Sequence, residues 1–379
     1  MKRQLLIKNG TVINPLTNEL TKQDILIEDG ILIDISQKNN SIVKEINAEE
    51  YFVSPGWIDF HCHVFYKGSG LAINPDILLS TGVTSAVDAG TSGCANFRIF
   101  KSSIVDLSIL DIKTYLNVYG SGQIDDNIRE IFNKQFYKIE EIKRLFKEFF
   151  DNLLGLKIRL SNGIADDLSS LQDVVDIARS INTQVCVHTT DPPCDMAEIA
   201  DTLRPNDIFC HCYHGRGNTI LTANGKIKSA ILDARKRGVV FDSSNGMGNF
   251  SIKVCQAALE QNFYPDIISS DLTMDKINFS PYAKSLPFVM SKYLSLGMPL
   301  SNIIRAVTAT PARLMKMDGK IGELKSGMQA DITIFKIKNY THTHLDFVQE
   351  SYKAEKLIVP VMTIKKGAID FCCADFALF

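Results

Sequence analysis

The sequence predicts an α/β protein: a (β/α)8 TIM barrel carrying a small β-sandwich domain built from both chain ends. Three observations predict it. Eight apolar, strand-like runs recur through the middle of the chain, amphipathic helix-like stretches lie between them, and the two ends share a glycine-punctuated, β-rich texture. The 379 residues, 45% hydrophobic and 22% charged, can bury a large core. A barrel of this kind takes about 250 residues, which leaves enough chain for a second, smaller domain.

The first 54 residues read as short strands joined by glycine turns, in "LLIKNGTVI", "DILIEDGILIDIS" and "EYFV" before Pro55. A similar texture returns in "GMQADITIFKI" and "KLIVPVMTIKKGAI". Neither end alone has enough strands to bury a face, so residues 1–54 and 317–379 are expected to pair into one domain. The barrel is then expected over residues 55–316. Its strands are "WIDFHCH" (57–63), "TSAVDAG" (84–90), "IKTYLNVY" (112–119), "LGLKIRLS" (154–161), "QVCVHT" (184–189), "DIFCHCY" (207–213), "GVVFDSS" (238–244) and "DIISSDL" (266–272). "LSSLQDVVDIARSI" and "SIKVCQAALEQN" have the 3.6-residue periodicity of the intervening helices. The mixed segment 120–137 is a candidate lid or substrate loop.

A net charge of −2 without a long basic block gives no footprint for nucleic acid, and "KIEEIKRLFKEFF" alternates sign as a solvated helix face does. No run approaches a signal-peptide core or a membrane span, so a cytoplasmic protein with a small-molecule substrate is expected, and a homo-oligomer is compatible with the sequence. Nine cysteines without a C-x-x-C motif fit reduced, buried thiols; Cys62 is expected to face away from His61 and His63 and pack under a helix.

Strand alternation points His61 and His63 the same way, with Trp57 and Asp59 below them. Strand ends elsewhere carry Lys157, His188, His211 and Asp271. Four of the seven histidines, a lysine and an aspartate thus converge on one barrel mouth, where this fold does its chemistry. That convergence reads as a metal site. Burial and nearby cations lower a lysine's pKa, and a neutral Lys157 could take up carbon dioxide as an anionic carbamate bridging two divalent ions. A plain ion pair with a carboxylate is the other reading of Lys157.

"PGWIDFHCH", the strand-end lysine, the two separate histidines and the late aspartate resemble the amidohydrolase superfamily. The finer resemblance, through "GVTSAVDAGTSG", "HCYHGRGN" and "GVVFDSSNGMGNFS", is to its amidohydrolase/deacetylase, dihydroorotase-like subgroup. The resemblance implies metal ligands His61, His63, carboxylated Lys157, His188, His211 and Asp271, two divalent ions with zinc as first expectation, and Asp271 as proton shuttle. It implies cleavage of an amide or ester, a deacylation of a small acylated carboxylic acid, by a hydroxide bridging the ions.

The sequence departs from the pattern in two respects. Phe65 stands where dihydroorotases have an H-x-H-x-R arginine, and Asn245 and His214 exchange the residue types the subgroup tends to carry. Cyclic-amide hydrolysis therefore stays as the alternative reaction, and a non-catalytic barrel scaffold as the alternative class. Arg159, two residues past Lys157, points into the same interior and needs an anion: a substrate carboxylate, or a barrel aspartate such as Asp88. His214 is a loop histidine of the pocket wall or surface and a candidate substrate contact. His342 and His344, in "THTHLD", repeat the H-x-H spacing in a polar stretch and are expected to be solvated.

Overall fold

A computed structural model describes residues 4–39, 42–125, 127–279 and 282–377. Seven of the eight expected runs form one parallel sheet: Trp57–Cys62, Val83–Asp88, Asp111–Asn117, Leu153–Arg159, Gln184–His188, Ile208–Cys210 and Val240–Asp242, each beside its neighbour in sequence. These strands are buried on both faces, which is why they read as near-continuous apolar runs. Leu156, Ile158, Val187, Phe209 and Phe241 point outward into the cluster shared with the helices. Ile58, Phe60, Tyr115, Leu154, Ile208 and Val240 fill a second cluster that helix Ala309–Leu314 and Met315 close off.

The eighth run departs from expectation. Residues 266–272 form no regular strand and make only isolated parallel bridges, Ile267 with Asp242 and Leu272 with Cys62. These bridges, with Asp271 N–H donating to His61 O (2.6 Å) and Ser243 N–H to Ile267 O (3.0 Å), still curl the sheet into a TIM-barrel-like α/β fold. The first strand also differs. Its register shifts between Asp59 and Cys62, so Ile58 and Phe60 join the inner cluster while Trp57 packs outside against Phe335, with ring centroids 5.4 Å apart. A bulge therefore breaks the alternation that would have placed Trp57 beneath His61.

The helices follow their apolar stripes. Ser169–Ser180 buries Leu171, Val174, Val175 and Ala178, and Ile139–Glu148, within the sign-alternating segment, buries only Ile142 and Leu145. No helix among the described residues is long and apolar enough to cross a membrane.

Both chain ends build the remaining sheets. A four-stranded sheet joins Gln4–Lys8, Ile25–Glu28, Ile31–Ile33 and Ile42–Asn47; a six-stranded sheet joins Thr11–Ile13, Leu20–Lys22 and Phe52–Pro55 to Ile332–Leu345, Ser351–Lys365 and Ala368–Cys372. Ile7, Ile25 and Ile27 of the first sheet share an apolar cluster with Val53, Ile334 and Val361 of the second. Buried Lys365 ties this unit to the barrel, its Nζ 2.7 Å from both Asp331 and Asp111. The antiparallel pair 332–345 and 351–365 is longer than its sequence suggests, and its outer half leans on helix Leu286–Ser295 through Ile358 N–H to Ser291 Oγ (2.8 Å) and Tyr352 OH to Ser295 O (2.6 Å).

Candidate metal centre

The strand ends bring all six expected ligands together. His61 Nε2 lies 3.3 Å from Lys157 Nζ and 3.7 Å from Asp271 Oδ1, and His63 Nε2 lies 3.3 Å from the same Asp271 oxygen. The His211 ring stands 5.2 Å from that of His61 and 4.1 Å from that of His188. Ligand atoms of His61, His63 and Asp271 all lie within 4.8 Å of one another, a spacing one ion could bridge. A cavity of about 340 Å³ opens onto His61, His63, Lys157, His188 and Asp271, with His211 behind them.

Three of the four imidazoles are oriented through Nδ1. His211 Nδ1 meets Ser244 O at 2.7 Å and His63 Nδ1 meets Thr91 Oγ1 at 2.8 Å. His61 Nδ1 lies 3.2 Å from Asp242 Oδ2 and 3.0 Å from Ser244 Oγ. With Nδ1 donating to a carbonyl, His211 keeps its lone pair on Nε2, and that buried atom has no hydrogen-bond partner. An orphaned acceptor in a ring of imidazoles fits a divalent ion. Burial, followed by the charge of Lys157 for His61 and by His211 for His188, pushes these imidazoles well below their ordinary pKa, into the neutral form that binds metals. Burial does the same at His211.

Asp271 divides its two oxygens. Oδ2 accepts from Lys276 Nζ (2.8 Å) and Asn249 Nδ2 (2.9 Å), leaving Oδ1 to the histidines. Burial alone would raise this carboxyl, but Lys276 and the His63 hydrogen bond hold it well below the usual range. His211, Ser244 and Asp271 all have left-handed backbones, with φ of 60°, 37° and 51°; such conformations cost roughly 1–3 kcal/mol each and cluster at functional sites. Two glycines make room: a Cβ on Gly246 would lie 2.3 Å from Asp271 Oδ2, and one on Gly90 would lie 2.5 Å from Lys157 Cγ.

Lys157 departs from its expected electrostatics. Burial pushes the amine down, but Cys186, Cys210, Asp271 and Glu130 outweigh it and hold the amine above its ordinary value. Cys186 and Cys210 lie beneath, with their sulfurs 3.2 Å apart, and form a second possible ligand group with His61. All nine cysteines are free, and Cys62 packs in the outer cluster.

Other expectations need correction. Arg159 lines the cavity, but its partner is Glu130 Oε2 (3.4 Å), not Asp88, whose oxygens accept backbone N–H groups of Val64, Gly90 and Thr91. Glu130 and the cavity-lining Gln123 come from the candidate lid segment. His214 is fully buried and does not line the cavity; burial pushes its pKa down to about 4. His344 is buried rather than solvated, because helix 286–295 covers its strand, and only His342 is partly exposed. Phe65 packs against Phe100, centroids 4.8 Å apart, and offers nothing to the cavity. Sequence reasoning passed over Asp242, Asn249, Lys276 and Thr91; the one signal was Asp242 closing the strand-like "GVVFD".

The chain is similar to known proteins over most of its length. The model of the amidohydrolase family matches residues 52–369. A deacetylase of Agrobacterium fabrum is 31% identical over 296 residues, covering 77% of this chain and 72% of that protein. A deacetylase of Enterococcus faecalis is 29% identical over 377 residues, covering 97% and 99%. Among solved structures, an adenine deaminase superposes with a TM-score of 0.87 at 28% identity, covering 96% of this chain and 98% of that one. A dihydroorotase has the same TM-score and identity and covers 98% of each chain.

Proposed function

The chain belongs to the amidohydrolase family and is a hydrolytic enzyme acting on C–N bonds; from that premise we propose that it is a metal-dependent deacylase of small N-acylated carboxylic acids. The observation that carries the reading is the buried, unpartnered Nε2 of His211 within the cluster of neutral imidazoles and Asp271. In this reading His61, His63, Lys157, His188, His211 and Asp271 hold two divalent ions, with Lys157 as a carbamate. When bound, such ions supply Lewis acidity, lowering the pKa of water and polarising the scissile carbonyl.

The chain's own groups do the rest. Lys276 and Asn249 fix Asp271 through Oδ2, so Oδ1, the oxygen on the side of His61 and His63, is the one placed to accept the water proton and return it to the leaving amine. Arg159, on the cavity wall with Glu130 behind it, offers its remaining N–H groups to a substrate carboxylate. We read residues 1–54 and 317–379 as one β-sandwich domain, supported by the apolar cluster their two sheets share, and 55–316 as the barrel.

Ring opening of a cyclic amide is the second reading, favoured by the superposition on a dihydroorotase over 98% of the chain and weakened by the buried Phe65. Metal analysis of protein purified without added metal, then a screen of N-acyl amino acids against dihydropyrimidine rings, tests both. We expect up to two equivalents of divalent metal and turnover of the acyl series. Turnover of the rings alone selects the second reading, and metal-free protein with full activity rejects the site.

A further inference from the structure

We propose that Phe347, at the tip of the hairpin formed by strands 332–345 and 351–365, builds with Arg216 an outer subsite that selects a large apolar side chain on the substrate's carboxylic-acid portion. The inference rests on the deacylase reading and adds the part of the substrate that reading leaves open.

The cavity changes character along its depth. His61, His63 and Asp271, at its inner end, are at most 5% exposed, whereas Met247 and Phe347 are 46% and 41% exposed. Phe347 lies in the turn joining two strands of the sheet built from the chain ends, yet it walls a cavity in the barrel. Its position is built rather than incidental. Asp346, 1% exposed, accepts N–H groups from Ile252 (2.9 Å), Val348 (3.1 Å) and Glu350 (2.9 Å), so one carboxylate both shapes the turn and docks it on the start of helix Ile252–Glu260. Lys253 pairs with Glu350, and Gln349 Nε2 donates to Tyr282 OH at 2.7 Å.

The ring has a partner on one side. The Arg216 guanidinium carbon lies 4.9 Å from its centroid, and the nearest carboxylate to that guanidinium, Asp191, is 3.9 Å away. Phe347 and Arg216 meet over Gly248, where an added Cβ would sit 3.5 Å from the ring and 3.7 Å from Arg216 Nη1. A half-exposed aromatic ring in a cavity that also presents Leu71, Ile164 and Met247 is a surface for an apolar ligand group. Covering it should be worth roughly tenfold in affinity, the equivalent of several tens of Å² of apolar surface removed from water.

The test is calorimetric titration of the metal-loaded protein with 3-phenylpropionate and with propionate, acids that carry no scissile bond. The wild-type protein should bind the phenyl acid at least tenfold more tightly. Phe347→Ala should bring that ratio to within about threefold, and Phe347→Leu should restore part of it. A wild-type ratio near one, no binding of either acid, or a ratio unchanged in Phe347→Ala overturns the proposal. The deacylase reading fails separately, on an absence of acyl turnover by the wild-type protein.

Discussion

The hairpin that carries Phe347 should loosen its hold on the fold as pH falls, through His344. This side chain is fully buried, its ring is 4.7 Å from that of Phe288, and its Nε2 is 2.9 Å from His342 Nε2. Burial first, then the charge of Lys292 and of His342, pushes its pKa down to about 2. The unfolded chain takes up a proton at about 6.5 while the folded chain does not. Stability contributed by the neutral ring is therefore complete above that value and lost progressively below it. Between pH 7.5 and pH 5.5 the loss is about 1.4 kcal/mol, and each further unit costs about the same until the folded-state value is approached. Urea unfolding at pH 7.5, 6.5 and 5.5 of the wild-type protein and of His344→Leu measures it. His61, His188, His211 and His214 are also held neutral by burial, so they contribute to both proteins and cancel in the difference. The wild type should lose about 1.4 kcal/mol more than the variant over that interval. Parallel curves would refute the buried, neutral His344 and with it this anchoring of the hairpin.

The remaining predictions concern the site. The double variant His61→Ala/His63→Ala should lose metal as well as activity; full metal content by elemental analysis would remove these residues from the ligand set. Lys157→Ala should be inactive and partly rescued by added short-chain carboxylic acids, which can stand in for a carbamate; rescue by amines but not acids would identify an ammonium role instead. Arg159→Met should lower kcat/KM for carboxylate-bearing substrates by at least about tenfold and for neutral analogues much less. Equal losses on both, with a lowered unfolding midpoint, would make the Arg159–Glu130 pair purely structural.

Barrel strands were legible because both of their faces are buried, so apolar runs bounded by turn residues marked them without any partner in view. The candidate ligands were legible for a related reason: they sit on or directly after such runs. What stayed hidden depends on distant partners. Nothing near Asp242 announces that it orients His61, 181 residues away. Arg159 visibly needed an anion, but Glu130 lies in a segment without regular structure, and nearby Asp88 is fully engaged by backbone N–H groups. "THTHLD" is polar in isolation; helix 286–295 buries His344 by packing over a strand more than forty positions later, and no local periodicity reports that.

The two irregularities of the barrel share one physical origin. Where residues 266–272 close the sheet, serine–carboxylate bonds take the place of a regular ladder. Asp242 Oδ1 accepts from Ser269 Oγ at 2.6 Å, and Asp59 accepts from Ser270 N–H at 3.0 Å and from its hydroxyl. Burial pushes Asp59 up to about 7 despite those bonds, so closing the barrel this way is electrostatically expensive. The expense is local to the candidate metal site. Ser270, fixed by Asp59, immediately precedes Asp271, and Asp242 also binds Ser244 and faces the His61 ring. A regular eighth strand would satisfy these backbone groups more cheaply, but it would not permit the left-handed turn at Asp271 (φ 51°) that leaves its Oδ1 3.3 Å from His63. Closure by side chains therefore gives up ladder bonds and gains an aspartate held at a fixed angle to two imidazoles, which is the preorganisation a hydrolytic site needs before substrate arrives.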